Sequence, residues 1–284
     1  MPTATQRRRV RQAALCSALL AWALARAAVA FFGAPQRPPA RTASAAAPAG
    51  AVEDVAGIEF YTMDMCPYAQ RTWIVLEEKQ LPYTRRLVNI RNETERSWYV
   101  EQVNPLGKVP SIRDSADGTV VYESEIVNEY LEHKFADRAD ALMPADAAGC
   151  ASVRLWNHHL SNKLAPAHFT FLMNKDDATE DEKRQALEEA LQYYEANLVG
   201  PYLVGDQFTL ADVSALPFFE RLVFSCRRFK SYEIPEAMPR LHAWLDRVMQ
   251  RPSFLVTKRP DDKLEEVYRM FIDRDYKFGG LNRN

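Results

Sequence analysis

The sequence predicts an α/β half followed by an all-helical half, set behind a targeting leader. Three observations carry this reading. Residues 1–50 hold 17 Ala and 7 Arg but no Asp, Glu or Lys. From Gly57 short β-rich runs alternate with helical stretches. From about Ala147 to Phe271 strand signals vanish and only helical periodicity remains.

The elements follow in order. Ile58-Glu59-Phe60-Tyr61 reads as a short strand. Pro67 opens a helix through about Lys79, because proline is tolerated in a first turn whose amides lack partners anyway. Leu87-Val88-Asn89-Ile90 reads as a second strand, followed by a short helix around Glu95–Gln102. Val109–Ile112 and Thr119–Tyr122 flank the turn residues Asp117-Gly118, a hairpin signal. Ser124 then caps a helix with Ile126, Val127, Tyr130 and Leu131 at helical spacing. The order is β-α-β-α-β-β-α, its opening βαβ unit parallel and right-handed.

In the second half, helical patterns run near 147–173, 179–198, 209–224 and 239–250, with a weaker one near 261–272. Gly200-Pro201, Gly205-Asp206, Pro235 and Pro252 mark the breaks. Thr209-Leu210-Ala211-Asp212 has the form of a capping box. The boundaries drawn are a leader over 1–50, an α/β domain over 56–136, a helical domain over 144–256 and a C-terminal extension over 257–284.

Within the leader, Arg7-Arg8-Arg9 and Arg11 precede the mostly apolar Ala13–Ala25, and Ala28-Val29-Ala30 offers small residues for cleavage. That is a signal peptide over 1–30. Arg26 interrupts the apolar run well short of the roughly 20 residues a membrane span needs. Residues 31–50 open with Phe31-Phe32 and have transit-peptide composition. The two pieces together resemble the bipartite leader that sends proteins to plastids of secondary endosymbiotic origin. The alternative is secretion through the ER with a disordered stalk.

Removing the leader's seven Arg from 36 basic residues leaves 29 against 38 acidic ones, so the body carries about −9. A net negative body argues against nucleic-acid binding, which needs a basic face to displace phosphate counterions. Of four Cys, Cys16 lies in the leader, and three widely spaced ones make no disulfide framework. Plastid targeting and reduced surroundings agree with this cysteine usage.

Chemistry is expected at three places. Cys66 stands between the first strand and the first helix, where unpaired amides and the helix dipole favour thiolate. Ala69 occupies the position where a dithiol oxidoreductase carries its resolving thiol. A mixed disulfide on Cys66 then needs an external thiol, which points to glutathione. A buried structural cysteine is the alternative for this motif alone. Val109-Pro110 precedes the third strand. A cis bond there leaves the Val109 backbone free to pair with an extended peptide, although few X-Pro bonds are cis. Glu123-Ser124 opens the next helix. Ser124 with nearby amides suits a carboxylate and Glu123 an ammonium, the two ends of a γ-glutamyl α-amino acid; a plain Ser cap is the alternative.

In this order and spacing the three elements resemble a cytosolic-type glutathione transferase, over about residues 56–256. Cys66-Pro67-Tyr68-Ala69-Gln70-Arg71-Thr72 is similar to the Cys-Pro-Phe-Ala-Gln-Arg signature of the omega and lambda classes. Trp98-Tyr99, Asn104-Pro105-Leu106-Gly107-Lys108-Val109-Pro110, Tyr122-Glu123-Ser124, Leu210-Ala211-Asp212 and Phe219-Glu220-Arg221 match in order. The resemblance implies a thioredoxin-like, glutathione-binding domain followed by the all-helical transferase domain. It implies Cys66 as catalytic thiol, Val109 with Pro110 pairing the cysteinyl backbone of glutathione, and Glu123 and Ser124 holding its γ-glutamyl end. The family's cation for the glycyl carboxylate is not matched: Glu95 stands in its place, with Arg96 one step along and Lys108 as another candidate.

Other signals are set aside. His158, His159 and His168 lack the face-sharing partners a metal site needs, so no metal is expected. Cys150 and Cys226 read as inert thiols, and the aromatics of the helical half as core with one or two lining a second-substrate pocket. The expected activity is a glutathione-dependent thiol transferase and reductase: deglutathionylation, and the dehydroascorbate reduction that an omega-like class implies. Glutathione is the co-substrate, with a small electrophile or disulfide as the second partner; a homodimer is allowed. Rival readings are a glutathione-conjugating transferase or isomerase, and a non-enzymatic ligand carrier or relative of the chloride intracellular channels. Against the last, Glu77, Glu78, Lys79, Arg85 and Arg86 break up any apolar run suited to membrane insertion.

Overall fold

The computed structural model describes residues 57–274; the expected leader and residues 275–284 of the expected C-terminal extension lie outside them. A four-stranded sheet of order β2-β1-β3-β4 organises the first half. It comprises β1 (Ile58–Thr62), β2 (Tyr83–Leu87), β3 (Ser111–Asp114) and β4 (Val120–Tyr122). β1 runs parallel to β2 and antiparallel to β3, and β3–β4 is a hairpin closed by Gly118 at φ +75°. Three helices complete the expected β-α-β-α-β-β-α order: α1 (Pro67–Glu78), α2 (Glu93–Gln102) and α3 (Ser124–Lys134).

One strand is displaced from its expected place. β2 lies at Tyr83–Leu87, four residues ahead of Leu87–Ile90. Its register is set by parallel pairing with β1, Ile58 opposite Tyr83 through Thr62 opposite Leu87. At the sheet edge it needs no apolar run: Arg86 pairs with Glu59 at 3.1 Å, and Arg85 lies 4.6 Å over the Trp73 ring. The run that suggested a strand is the loop after it. There Val88 is buried and donates its N–H to the Thr62 carbonyl at 2.9 Å.

The second half is helical. α4 (Ala147–His159) passes through a π-helical turn (Leu160–Leu164) into α5 (Ala165–Met173). Then come α6 (Glu180–Asn197), α7 (Leu210–Lys230), α8 (Pro239–Val248), α9 (Pro252–Thr257) and α10 (Asp261–Asp273). The Thr209/Asp212 capping box forms as expected. Asp212, fully buried, also accepts from Trp244 Nε1 at 2.8 Å and from the Leu203 N–H at 3.0 Å, so one carboxylate joins three segments. α7 extends six residues past its expected end near 224. Its last turn carries Arg227, Arg228 and Lys230, which suit the negative helix end and find Glu233, Glu265 and Glu180. The short α9 was not expected: Pro252, read as a break, opens it as first residue.

The main apolar core runs without interruption from the sheet into the helices, from Phe60, Ile74 and Ile112 to Leu187, Phe219 and Trp244. A second cluster joins α10 to α5 through Phe169, Leu172, Leu264 and Tyr268, with Met65 packed against it. Between α1 and α3 lies a buried ion pair, Lys79 to Glu132 at 2.7 Å. Lys79 Nζ also reaches the Asp140 carbonyl at 3.2 Å, and Glu132 accepts from the Leu142 N–H at 3.0 Å. The pair therefore pins the connection between the halves. Lys79→Met is expected to lower unfolding stability by about 3–5 kcal/mol, because a lone buried carboxylate remains. Adding Glu132→Leu should restore most of the loss; denaturant unfolding midpoints check both.

Candidate active site

Cys66 follows β1 through the turn Met63–Met65, its N–H bonded to the Met63 carbonyl at 3.0 Å. It occupies the N-cap position of α1 with extended backbone, and its carbonyl accepts from the Gln70 N–H at 3.0 Å. Pro67 brings no N–H, so the helix start offers the sulfur the amides of Tyr68 and Ala69, without a side-chain cap hydrogen bond. Across the site, the Val109–Pro110 bond is cis, and the Cys66 thiol points to the Val109 carbonyl at 3.9 Å.

The segment carrying Val109 is built by its own motif. The Lys108 carbonyl accepts from Tyr99 Oη at 2.8 Å and Asn104 Nδ2 at 2.7 Å. Asn104 Oδ1 takes the Leu106 N–H at 3.0 Å, and Tyr99 Oη meets Ser111 Oγ at 2.7 Å. Gly107 has φ +62°, and a Cβ there would lie 3.2 Å from two Arg96 nitrogens and 3.0 Å from Val100. Arg96 thus lies against the Gly107 turn, one residue from the exposed Lys108. Glu95, which stands where the family has a cation, accepts instead from the Asn89 N–H at 2.9 Å and closes its own loop.

Glu123 sits at the corner between β4 and α3 with φ +69°, a left-handed conformation rare for a residue with a side chain. Such strain is kept where the surroundings over-determine it, and here it presents an exposed carboxylate next to the buried Ser124. Ser124 is the first residue of α3 rather than its side-chain cap. Its Oγ accepts from Arg71 at 3.2 Å, which leaves the hydroxyl proton free to be donated.

Arg71 was not singled out from the sequence, though it lies within the Cys66 motif. Fully buried, it donates to the Ser214 carbonyl of α7 at 3.0 Å and to Glu125 at 3.3 Å. The rings of Tyr68 and Phe218 flank it at 5.1 and 4.7 Å. Arg221 and Gln70 were also passed over as functional residues. They meet beneath Cys66, Arg221 donating to Gln70 Oε1 at 2.6 Å. The signal was their place inside matched motifs; what was missing was the contact between halves.

The thiolate expectation does not hold for the resting thiol. Cys66 keeps part of its surface but is enclosed by protein, and burial pushes the thiol up from its ordinary value. The amides of Ala69 and Tyr68, then the charges of Arg221 and Arg71, pull the other way and offset only part of this. Cys150 donates its thiol to the Pro144 carbonyl at 3.0 Å, and burial pushes Cys226 up to about 12. His168 is buried against Ser225 Oγ at 2.8 Å, its pKa lowered to about 3 by burial. His159 stacks on Tyr193 at 3.8 Å. Among the described residues no His, Cys, Asp and Glu gather as a metal site, and no helix is long and apolar enough to cross a membrane.

Sheet order, cis proline and strained Glu123-Ser124 corner together define a thioredoxin-like domain joined to an all-helical one. Comparison with known proteins agrees. The family model described as "Glutathione S-transferase, N-terminal domain" matches residues 65–134, and that for the C-terminal domain matches residues 160–252. The chain is 31% identical over 211 residues to glutathione S-transferase omega-1 of Mus musculus, covering 72% of this chain and 82% of the mouse protein. It is 29% identical over 208 residues to the probable glutathione S-transferase DHAR1, cytosolic, of Oryza sativa subsp. japonica, covering 72% and 88%. To glutathione S-transferase DHAR3, chloroplastic, of Arabidopsis thaliana it is 27% identical over 195 residues, covering 68% and 69%. Among solved structures, glutathione transferase Omega 3C from Trametes versicolor superposes with TM-score 0.69 at 28% identity, covering 79% and 93%. This chain belongs to the glutathione S-transferase family and is an enzyme of that kind.

Because the folded thiol sits above its ordinary range, the thiolate fraction at neutral pH is small and grows as pH rises. Iodoacetamide alkylation of Cys66, located by mass spectrometry, should climb by about tenfold per pH unit through neutrality. A rate already level below pH 7 would contradict the dominance of burial.

Proposed function

We propose that this transferase is a glutathione-dependent thiol transferase and reductase working through the single thiol of Cys66. The observation that carries the reading is the placement of Cys66: at the start of α1, 3.9 Å from the Val109 carbonyl, with Ala69 where a resolving thiol would stand. The other described cysteines, Cys150 and Cys226, lie in the helical half. Similarity to omega-class and DHAR relatives supports the same class of chemistry.

In this reading the backbone of Val109 pairs with the cysteinyl unit of glutathione. Ser124 donates to the γ-glutamyl carboxylate, and Glu123 takes the ammonium. Lys108, next to Val109 in the chain, and Arg96, which lies against the Gly107 turn, are the cations for the glycyl carboxylate.

The steps balance as thiol–disulfide exchange. Cys66 thiolate attacks the glutathione sulfur of a mixed disulfide; the Cys66–glutathione S–S bond forms and the substrate leaves as thiolate, to be protonated. A second glutathione thiolate attacks the glutathione sulfur of that bond. Cys66 thiolate is regenerated and glutathione disulfide departs. With dehydroascorbate, Cys66 adds to a carbonyl, and glutathione thiolate attacks the Cys66 sulfur. The carbon–sulfur electron pair leaves with ascorbate, and a second glutathione resolves the mixed disulfide. Amides and guanidiniums around the sulfur stabilise the thiolate formed at each turnover.

The leader's composition supports delivery to a plastid, and the names of two relatives include "chloroplastic". The elevated thiol favours one rival, a conjugating transferase in which Cys66 only orients glutathione. Cys66→Ala should abolish reduction of dehydroascorbate and of a glutathionylated peptide, measured by coupled consumption of glutathione. Cys66→Ser should abolish the same reactions while sparing conjugation. Incubation with glutathione disulfide should add one glutathione at Cys66, removable by fresh glutathione; retained reductase activity in Cys66→Ala would sink the assignment.

A further inference from the structure

We infer that Arg221, on α7 of the helical half, is a positioning residue for Cys66: it clamps the turn that carries the thiol and places a buried positive charge behind the sulfur. The inference rests on Cys66 being the reacting thiol and adds how the second half of the chain acts on it.

Arg221 retains 2% of its surface. One terminal nitrogen donates to Gln70 Oε1 at 2.6 Å, to Glu220 at 2.8 Å and to the Pro217 carbonyl one turn earlier at 2.9 Å. The other reaches the Met65 carbonyl at 3.4 Å. Met65 immediately precedes Cys66 and Gln70 follows it by one helical turn, so a single guanidinium spans both sides of the thiol-bearing turn. Gln70 is itself held from α9, donating to Thr257 Oγ1 at 3.5 Å. A planar, permanently charged fork suits this role in a way a lysine ammonium does not.

α7 is shaped for the purpose. Pro217 lies inside it and brings no N–H, so the preceding turn loses one of its hydrogen bonds. The carbonyl left without that donor is Val213's; beside it the Ser214 carbonyl accepts from Arg71, and Pro217's own carbonyl accepts from Arg221. The same turn of α7 thus anchors both guanidiniums that act on Cys66.

The charged and titratable neighbours can be named element by element. Arg71 comes from α1 itself, balanced by Glu125 of α3. Tyr99 comes from α2, its phenol pushed up by burial and so neutral. Arg221 comes from α7, balanced by Glu220, on which Lys258 and Asp261 also act. Arg221 leads Arg71 among the charges that pull the Cys66 thiol down. Being buried, its effect is little screened by salt.

The test uses the full chain and three variants, Arg221→Met, Arg221→Lys and Gln70→Leu, with alkylation of Cys66 followed against pH and the adduct located by mass spectrometry. Arg221→Met should move the alkylation midpoint up by about one pH unit, an approximately tenfold slower reaction at neutral pH. It should lower kcat for reduction while leaving KM for glutathione near its starting value. Arg221→Lys, which keeps the charge, should recover the midpoint but only part of kcat. Should Arg221→Met fail to fold, Gln70→Leu removes the acceptor that draws the guanidinium to the turn, and its midpoint should rise as well. A folded Arg221→Met or Gln70→Leu with an unmoved midpoint overturns the inference. An adduct on Cys150 or Cys226 instead overturns the assignment of Cys66, a different failure.

Discussion

The buried guanidinium of Arg71 is the constraint on which the site depends. It leaves the same helix that begins at Cys66 and ends on Ser124, Glu125 and the Ser214 carbonyl, so one side chain ties three helices together. These partners occupy Nε and Nη1 of the buried guanidinium and two aromatic rings flank it, while Nη2 has no hydrogen-bond partner among the described residues. The result is mutual registration: the thiol, the hydroxyl that would meet a γ-glutamyl carboxylate, and the helical half are placed relative to one another by a single rigid fork. Arg221 repeats the arrangement from the opposite direction, rooted in α7 and reaching to α1.

Around the sulfur, two physical effects oppose each other. A helix start and two guanidiniums favour negative charge, while enclosure by protein penalises it, and burial is the larger. The balance has a chemical use in the proposed cycle. A thiol kept protonated at rest is shielded from indiscriminate oxidation, while the fixed amides and cations are already oriented for the thiolate once it forms. The strained corner at Glu123 has a similar logic: its unusual backbone is held by Arg71 on the neighbouring Ser124 and by the hairpin before it.

Legibility followed how local the determining physics was. The first helix, the Asp117-Gly118 hairpin and the Thr209/Asp212 capping box were readable because proline, glycine and cap chemistry act over a few residues. β2 was not, since an edge strand takes its register from β1 and tolerates Arg85 and Arg86, while the apolar run nearby buries Val88 from a loop. α9 escaped notice because Pro252 can equally end one helix or begin the next. At the site, Cys66, Val109, Glu123 and Ser124 stood out by residue type and order. Arg71, Gln70 and Arg221 did not, since their roles lie in hydrogen bonds to residues 53 to 187 positions away.

The amino-acid sequence alone therefore determined the division into an α/β half and a helical half, the order of elements within the α/β half, and a thiol at a helix start with no partner three residues on. Those properties are written in short-range patterns, where each residue's own backbone preference and polarity decide the outcome. Tertiary structure alone decided which strand edge faces the thiol, which cations stand behind it, and whether it rests protonated. These depend on enclosure and on charges brought together across the interface between halves, and neither can be summed from spacing along the chain.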